Sequence, residues 1–310
     1  MYFPYLRGRQ FELIALRELL EKDRISEKII PIVEPINPTS TLLKTLKVFL
    51  EKKRKIAIVQ NPMVGDFFDK LKEKEEDGSK VAKEIEELLK DDQIIQSYIM
   101  GTDIEYLKND DRKQEYLVIN QSRDSLDVFL DVYDENEEPQ ITLIPNDRAF
   151  RRMVKDSRVL FEDKFKKKTR NVDYKDPDDE FFSDDHLYFE DEGYQGFSDY
   201  SIVGEEFNES GFAPVAVAIH LVYFNNKKEL KIHHFVSNSN VGIEDPGGKF
   251  GEALEKLVKW CNDHRMKKTL GLEGFYDCYD HGKYPGLGTV KKYSIMHHLE
   301  LISDFLGGEI

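Results

Sequence analysis

The chain has 310 residues, of which 40% are apolar and 34% charged, and carries a net charge of −15. That length buries a large core and fits one barrel plus an appendage. A uniformly acidic surface argues against nonspecific binding to duplex nucleic acid or to anionic membranes, unless a local basic patch overrides the total. The two cysteines, Cys261 and Cys278, form neither a CxxC motif nor a disulfide framework, so a reducing, cytoplasmic compartment is expected. The opening MYFPYLRGRQ lacks the pattern of a signal peptide. The longest apolar stretch, Pro214 to Phe224, is too short to span a bilayer and contains His220, so no membrane is expected as partner.

Tyr2 to Leu6 reads as a strand with a polar tip at Arg7, Gly8 and Arg9. The helix after it places Phe11, Ile14, Ala15 and Leu19 on one face. This unit recurs. Ile29 to Ile36 is a second strand, although Pro31 and Pro35 cannot donate to a ladder. A helix from about Thr39 to Lys53 follows, capped by Thr39 or Ser40. Lys55 to Gln60 is a third strand, exiting at Asn61 and Pro62. Asp66 to Lys90 reads as two charged helices broken near Asp77 and Gly78. Ile94 to Met100 is the fourth strand, with a short helical piece from Asp103. Tyr116 to Ile119 exits at Asn120, and Ser122 caps the next helix. Ile141 to Pro145 exits at Asn146 and Asp147 into a short basic helix, and Arg158 to Phe161 exits at Glu162 and Asp163.

Short apolar strands alternating with helices predict a parallel sheet with helical crossovers. An eighth strand from about Ser198 to Val203 would close it. The expected fold is therefore α/β, a variant (β/α)8 TIM-like barrel over residues 1–210, with a C-terminal β-hairpin plus helix appendage over 211–310 packed on it. A doubly wound open sheet is the alternative. It usually carries a glycine-rich turn after its first strand, and Arg7-Gly8-Arg9 is not GxGxxG.

Residues 164–197 break the rhythm. They open basic (Lys164, Lys166, Lys167, Lys168, Arg170), turn acidic, and interleave aromatics such as Tyr174, Phe181, Phe182 and Tyr188. The aromatics argue against plain disorder. A loop of this length is expected to be a lid, a binding loop or a mobile segment over the barrel mouth. Beyond it, Pro214 to Phe224 and Glu229 to Val236 form a hairpin, Gly248 to His264 an amphipathic helix, and Thr289 to Phe305 a last helix.

In a parallel barrel, working groups come from the C-terminal ends of the strands. Those exits supply Arg7 and Arg9, Glu34, Asn61, Asp103, Asn120, Asn146 and Asp163. As a set they suit an anionic or polar ligand, or a hard metal held through oxygens. Against this, strands also simply end in polar turn residues, and Asn and Asp favour turns. Arg7 and Arg9 suit a carboxylate or phosphate, or else an interior ion pair with Glu12 or Glu34. Glu34, between an apolar run and Pro35, is either arginine-paired or functional. No HExxH motif or Cys/His cluster is present, so no zinc site is expected. Adjacent histidines on a strand, His233 and His234, point to opposite faces. The segment Gly286 to Lys292 is no P-loop, although its helix start could cradle an anion. No GxSxG elbow occurs, and no cofactor is specified.

The opening Tyr2 to Glu12 (YFPYLRGRQFE), with Pro31 to Glu34 (PIVE), resembles the start of the family called beta proteins, after a tailed-phage protein. The full length is similar to a bacterial subgroup of that family through Gly196 to Phe207 (GFSDYSIVGEEF), Ile232 to Ser237 (IHHFVS), Tyr284 to Thr289 (YPGLGT) and Met296 to Glu300 (MHHLE). The resemblance implies a barrel-like fold, occurrence beside phage or mobile elements, and a companion protein encoded nearby as partner. It supplies no catalytic residues.

Two functions are therefore expected as alternatives. The first is a component of a phage- or mobile-element-associated, defence-type module, acting with the companion protein and binding an anionic ligand at the barrel mouth. The second is a hydrolase of a phosphorylated or nucleotide-like substrate. There, Arg7 and Arg9 would grip the anion, and Glu34, Asp103 and Asp163 would serve as bases or metal ligands.

Overall fold

Strands of two to seven residues, most followed by a helix, build this chain. The computed structural model describes residues 1–101, 104–133, 137–208 and 214–310. β1 (Tyr5–Leu6) leads into α1 (Gln10–Glu21), β2 (Ile32–Val33) into α2 (Ser40–Glu51), and β3 (Ile56–Val59) into α3 (Phe67–Glu76) and α4 (Lys80–Leu88). β4 (Ile94–Ile99) is followed by 3₁₀ turns at Glu105–Asn109 and Lys113–Glu115. β5 (Leu117–Ile119) leads to α5 (Ser125–Val132), β6 (Ile141–Ile144) to α6 (Arg148–Met153), and β7 is Arg158–Phe161. Then come a 3₁₀ turn at Asn171–Lys175, β8 (Asp179–Ser183), α7 (Asp185–Tyr188) and β9 (Gly196–Ser198). The remainder is β10 (Ala218–Phe224), β11 (Leu230–Val236), α8 (Pro246–Asp263), α9 (Leu270–Asp280) and α10 (Leu287–Gly307).

β1 to β7 and then β9 pair side by side, all parallel, as an eight-stranded sheet. The sheet curls into a nearly closed barrel, a TIM-like α/β fold. Its last seam is bridged where Phe3 N donates to Phe197 O and Tyr5 N to Asp199 O, each at 2.9 Å. Pro31 and Pro35, which count against the second strand in the sequence, lie outside β2, and Pro31 serves only as an acceptor, taking a hydrogen bond from Ala57 N. Alternation sorts the strand residues. Tyr5, Ile32, Ala57, Val59, Leu117, Ile119 and Leu143 fill the barrel interior. Leu6, Val33, Ile58, Val118 and Ile144 face the helices.

The segment 164–197 is built into the fold. β8 joins β11 antiparallel and completes a second sheet in the order β10-β11-β8, so this sheet crosses the boundary expected near residue 210. Tyr174, Phe182, Phe189 and Tyr194 are buried, whereas Phe181 and Tyr188 remain largely exposed. α10 packs on α1, and its Ile295, Met296, Leu299 and Ile302 join the barrel's outer core. α9 was not foreseen in the sequence, because Gly271 and Gly274 weaken its helical pattern. The glycines let α9 approach α10 closely: a Cβ at Gly271 would lie 2.2 Å from the Tyr293 carbonyl oxygen. Among the described residues no helix is long and apolar enough to cross a membrane.

Candidate anion-binding site

The barrel mouth is plugged. Tyr5, Phe161 and Tyr200 pack against one another across it with ring centroids 5.0–5.6 Å apart, and the Arg7 guanidinium lies over Tyr5 and Tyr200. Gly8 makes this tip possible. Its φ is +63°, and a Cβ would press within 3.0 Å of the Glu34 carbonyl oxygen. Arg7 thereby reaches back over the mouth while Arg9 turns away from it.

Glu34 is fully buried and fully used. Its Oε2 accepts from Tyr5 Oη at 2.8 Å and from Arg7 Nη1, and its Oε1 accepts from Met63 N at 2.7 Å and Val64 N at 3.2 Å. The second guanidinium nitrogen of Arg7 donates to Glu205 O at 2.6 Å. Of the two roles open to Arg7 and Glu34 in the sequence, the structure shows the interior ion pair.

The other strand-exit residues are tied to the scaffold in the same way. Asn61 stands in for a strand residue: its Nδ2 donates to Ile99 O at 2.8 Å and its Oδ1 accepts from Ile99 N at 2.9 Å. Asn120 is buried, donating to Leu143 O and accepting from Ser125 Oγ. Asn146 is exposed and accepts from Arg151. Asp163 accepts from Phe165 N and Glu205 N, which orders the turn after β7, while burial raises its carboxyl above the usual range. Asp103 lies outside the described residues. Among the described residues no three His, Cys, Asp or Glu side chains are placed to hold a metal ion.

A cleft lies beside the mouth. Its 430 Å³ separate the barrel rim from the second sheet and α10. That volume falls in the usual small-molecule range of about 300–1,000 Å³. Arg9, Lys167, Lys168 and Lys291 line it, from the turn after β1, the loop after β7 and the first turns of α10. In a chain of charge −15 this is a local concentration of cations. Two of the four are neutralised: Lys167 by Glu206 at 3.1 Å and Lys168 by Glu180 at 3.2 Å. Arg9 donates to Asn208 O and covers the Phe207 ring, its guanidinium carbon 4.6 Å from the centroid. Lys291 makes no ion pair among the described residues. Burial pushes its ammonium below the usual lysine range; Glu12 opposes this, and the neighbouring charges of Arg9 and Lys167 add to it. A cation held against other cations at the positive end of a 21-residue helix favours an anion beside it.

His220 of β10 forms part of the cleft wall, in edge contact with Tyr174 and Phe165. His233 faces the other side of the sheet and stacks on Trp260, as its neighbour's position requires. His297 and His298 are fully buried on α10, bonded to Val222 O, Thr269 Oγ1 and Ser201 Oγ. The cradle expected at Gly286 is partly a packing device: a Cβ at Gly288 would strike the Phe11 ring. Its following turn nevertheless supplies Leu287, Val290 and Lys291 to the cleft. Arg9 and the basic start of 164–170 stand out in the sequence, but nothing in it joins them to Lys291 and His220. Only the packing of α10 and β10 against the barrel rim brings these together.

Compared with protein-family models, with curated proteins and with solved structures, the chain matches none of them.

Proposed function

We propose that the chain is a ligand-binding component of a phage- or mobile-element-associated, defence-type module, one that works with a companion protein and holds an anionic ligand in the cleft between barrel rim and second sheet. The cleft carries this reading: Lys291 and Arg9 face it without a carboxylate ion-pair partner among the described residues, in an otherwise acidic protein. The resemblance to beta proteins supports the module and the companion. The bonding of Glu34 and Asp163 favours binding over hydrolysis by this chain, because both carboxylates are engaged by donors of the scaffold, Glu34 by Met63 N and Val64 N and Asp163 by Phe165 N and Glu205 N.

Two measurements test the proposal. Thermal melting of the purified chain with phosphate, carboxylate and nucleotide anions should show a rise in Tm, since a ligand that binds only the folded state stabilises it by mass action. Co-expression with the product of the neighbouring gene should yield a complex. A folded chain that no anion stabilises, and that purifies alone beside every neighbour, would sink the reading.

A further inference from the structure

We propose that the cleft is a phosphomonoester site in which Nε2 of His220 reads a hydroxyl or N–H group of the esterified molecule. This rests on the anion-binding reading above and names the ligand class for the same cleft.

The argument starts from a tautomer. His220 and His234 are register partners on β10 and β11, and their Nδ1 atoms lie 2.8 Å apart. Two lone pairs do not face each other at that distance, so one ring donates Nδ1–H and the other accepts it. Nε2 of His234 lies 3.9 Å from the Glu180 carboxylate, which favours a proton on that nitrogen. A neutral His234 protonated there has its Nδ1 lone pair free for His220. His220 therefore carries its proton on Nδ1, and its Nε2 is an acceptor. Both rings stay neutral near pH 7. Burial pushes His220 well below its ordinary value, helped by His234 and Lys291, and burial pushes His234 down to about 4 against the pull of Glu180.

The ring is held in place. Tyr174 and Phe165 contact it at centroid distances of 4.6 Å and 5.1 Å, and Nδ1 is committed to His234. Nε2 is its remaining polar atom, with no partner among the described residues. The cleft thus offers cations for a negative group and, at Nε2 of His220, a neutral acceptor for a donor. Orthophosphate alone would leave most of the 430 Å³ empty. A phosphate esterified to a hydroxyl-bearing molecule satisfies both ends. Sugar phosphates and mononucleotides share this chemistry, and the test separates them.

Isothermal titration of the full chain with orthophosphate, glucose 6-phosphate and AMP decides the matter. At least one ester should bind more tightly than orthophosphate, and the preferred ester identifies the source. Lys291→Met should weaken every ligand by about tenfold or more, as loss of a charge-assisted contact does. His220→Phe should bring the preferred ester down to the affinity of orthophosphate, a loss of about 3- to 10-fold, and leave orthophosphate unchanged. His220→Gln keeps an accepting oxygen and should retain part of the preference. It also carries the test if the phenylalanine variant fails to fold. Orthophosphate bound as tightly as both esters, or His220 variants that weaken all ligands equally, would overturn the role of His220 while leaving an anion site. No binding of any probe by folded wild type would overturn both.

Discussion

Arg7 and Glu34 form a buried ion pair across the first two barrel strands, their side chains 8% and 0% exposed. Breaking one side of such a pair leaves an uncompensated charge. Glu34→Ala would strip partners from the Arg7 guanidinium, the Tyr5 hydroxyl and the Met63 and Val64 amides together. It should cost about 3–5 kcal/mol in urea denaturation, and Arg7→Met a similar amount. The double variant Arg7→Met with Glu34→Met should lose less than the sum, because no lone charge remains. Single variants costing less than about 1 kcal/mol would show that the pair does not hold the rim together.

That pair also marks how far the sequence could be read. Strand–helix alternation from Tyr2 to Phe161 gave the barrel, because each strand has to bury one face inward and one under helices. The same logic named the strand exits. It could not say that Glu34 would be saturated by amides of the β3–α3 loop, since those donors lie 29 and 30 residues away in sequence. β8 is not legible as a strand because Asp179-Glu180-Phe181-Phe182-Ser183 lacks a period-two alternation, and its acids read as a loop until β11 supplies Lys231 and His233 as partners for Asp179. The cleft was legible only in pieces. Arg9 and Lys291 are 282 positions apart, and nothing local announces that α10 returns to α1.

The seating of α9 on α10 gives a second prediction. At Gly271 the atoms that a Cβ would meet are backbone: the Tyr293 carbonyl oxygen at 2.2 Å and the His297 nitrogen at 2.7 Å. Backbone cannot rotate aside as a side chain can, so Gly271→Ala forces the helices apart. The expected cost is about 1–3 kcal/mol, read as a lowered urea midpoint. Gly251→Ala is the control, because a Cβ there meets nothing within 4 Å and its position in α8 is helical. It should be neutral or stabilising by up to about 1 kcal/mol. Equal effects at both positions would mean that the α9–α10 approach is not close.

Asp199 gives the pH dependence. It is buried at the barrel seam, and its Oδ1 accepts from Tyr2 Oη and Ser201 N, each at 2.7 Å. Burial nevertheless lifts its carboxyl to about 6, with Tyr2, Ser201 and Lys164 pulling the other way. The unfolded carboxyl releases its proton near about 3.9. Between those values the folded state binds more protons, so this group's contribution to stability is full below about pH 4 and falls as pH rises, the loss being complete above about pH 6. The gap between those two values corresponds to about 3 kcal/mol. Asp199→Asn keeps the accepting oxygen and cannot ionise. The variant and wild type should therefore have similar urea midpoints at pH 4, and the variant should be the more stable at pH 8, by up to about 3 kcal/mol. A stability difference that stays constant from pH 4 to pH 8 would show that the Asp199 carboxyl titrates alike in the folded and unfolded chain.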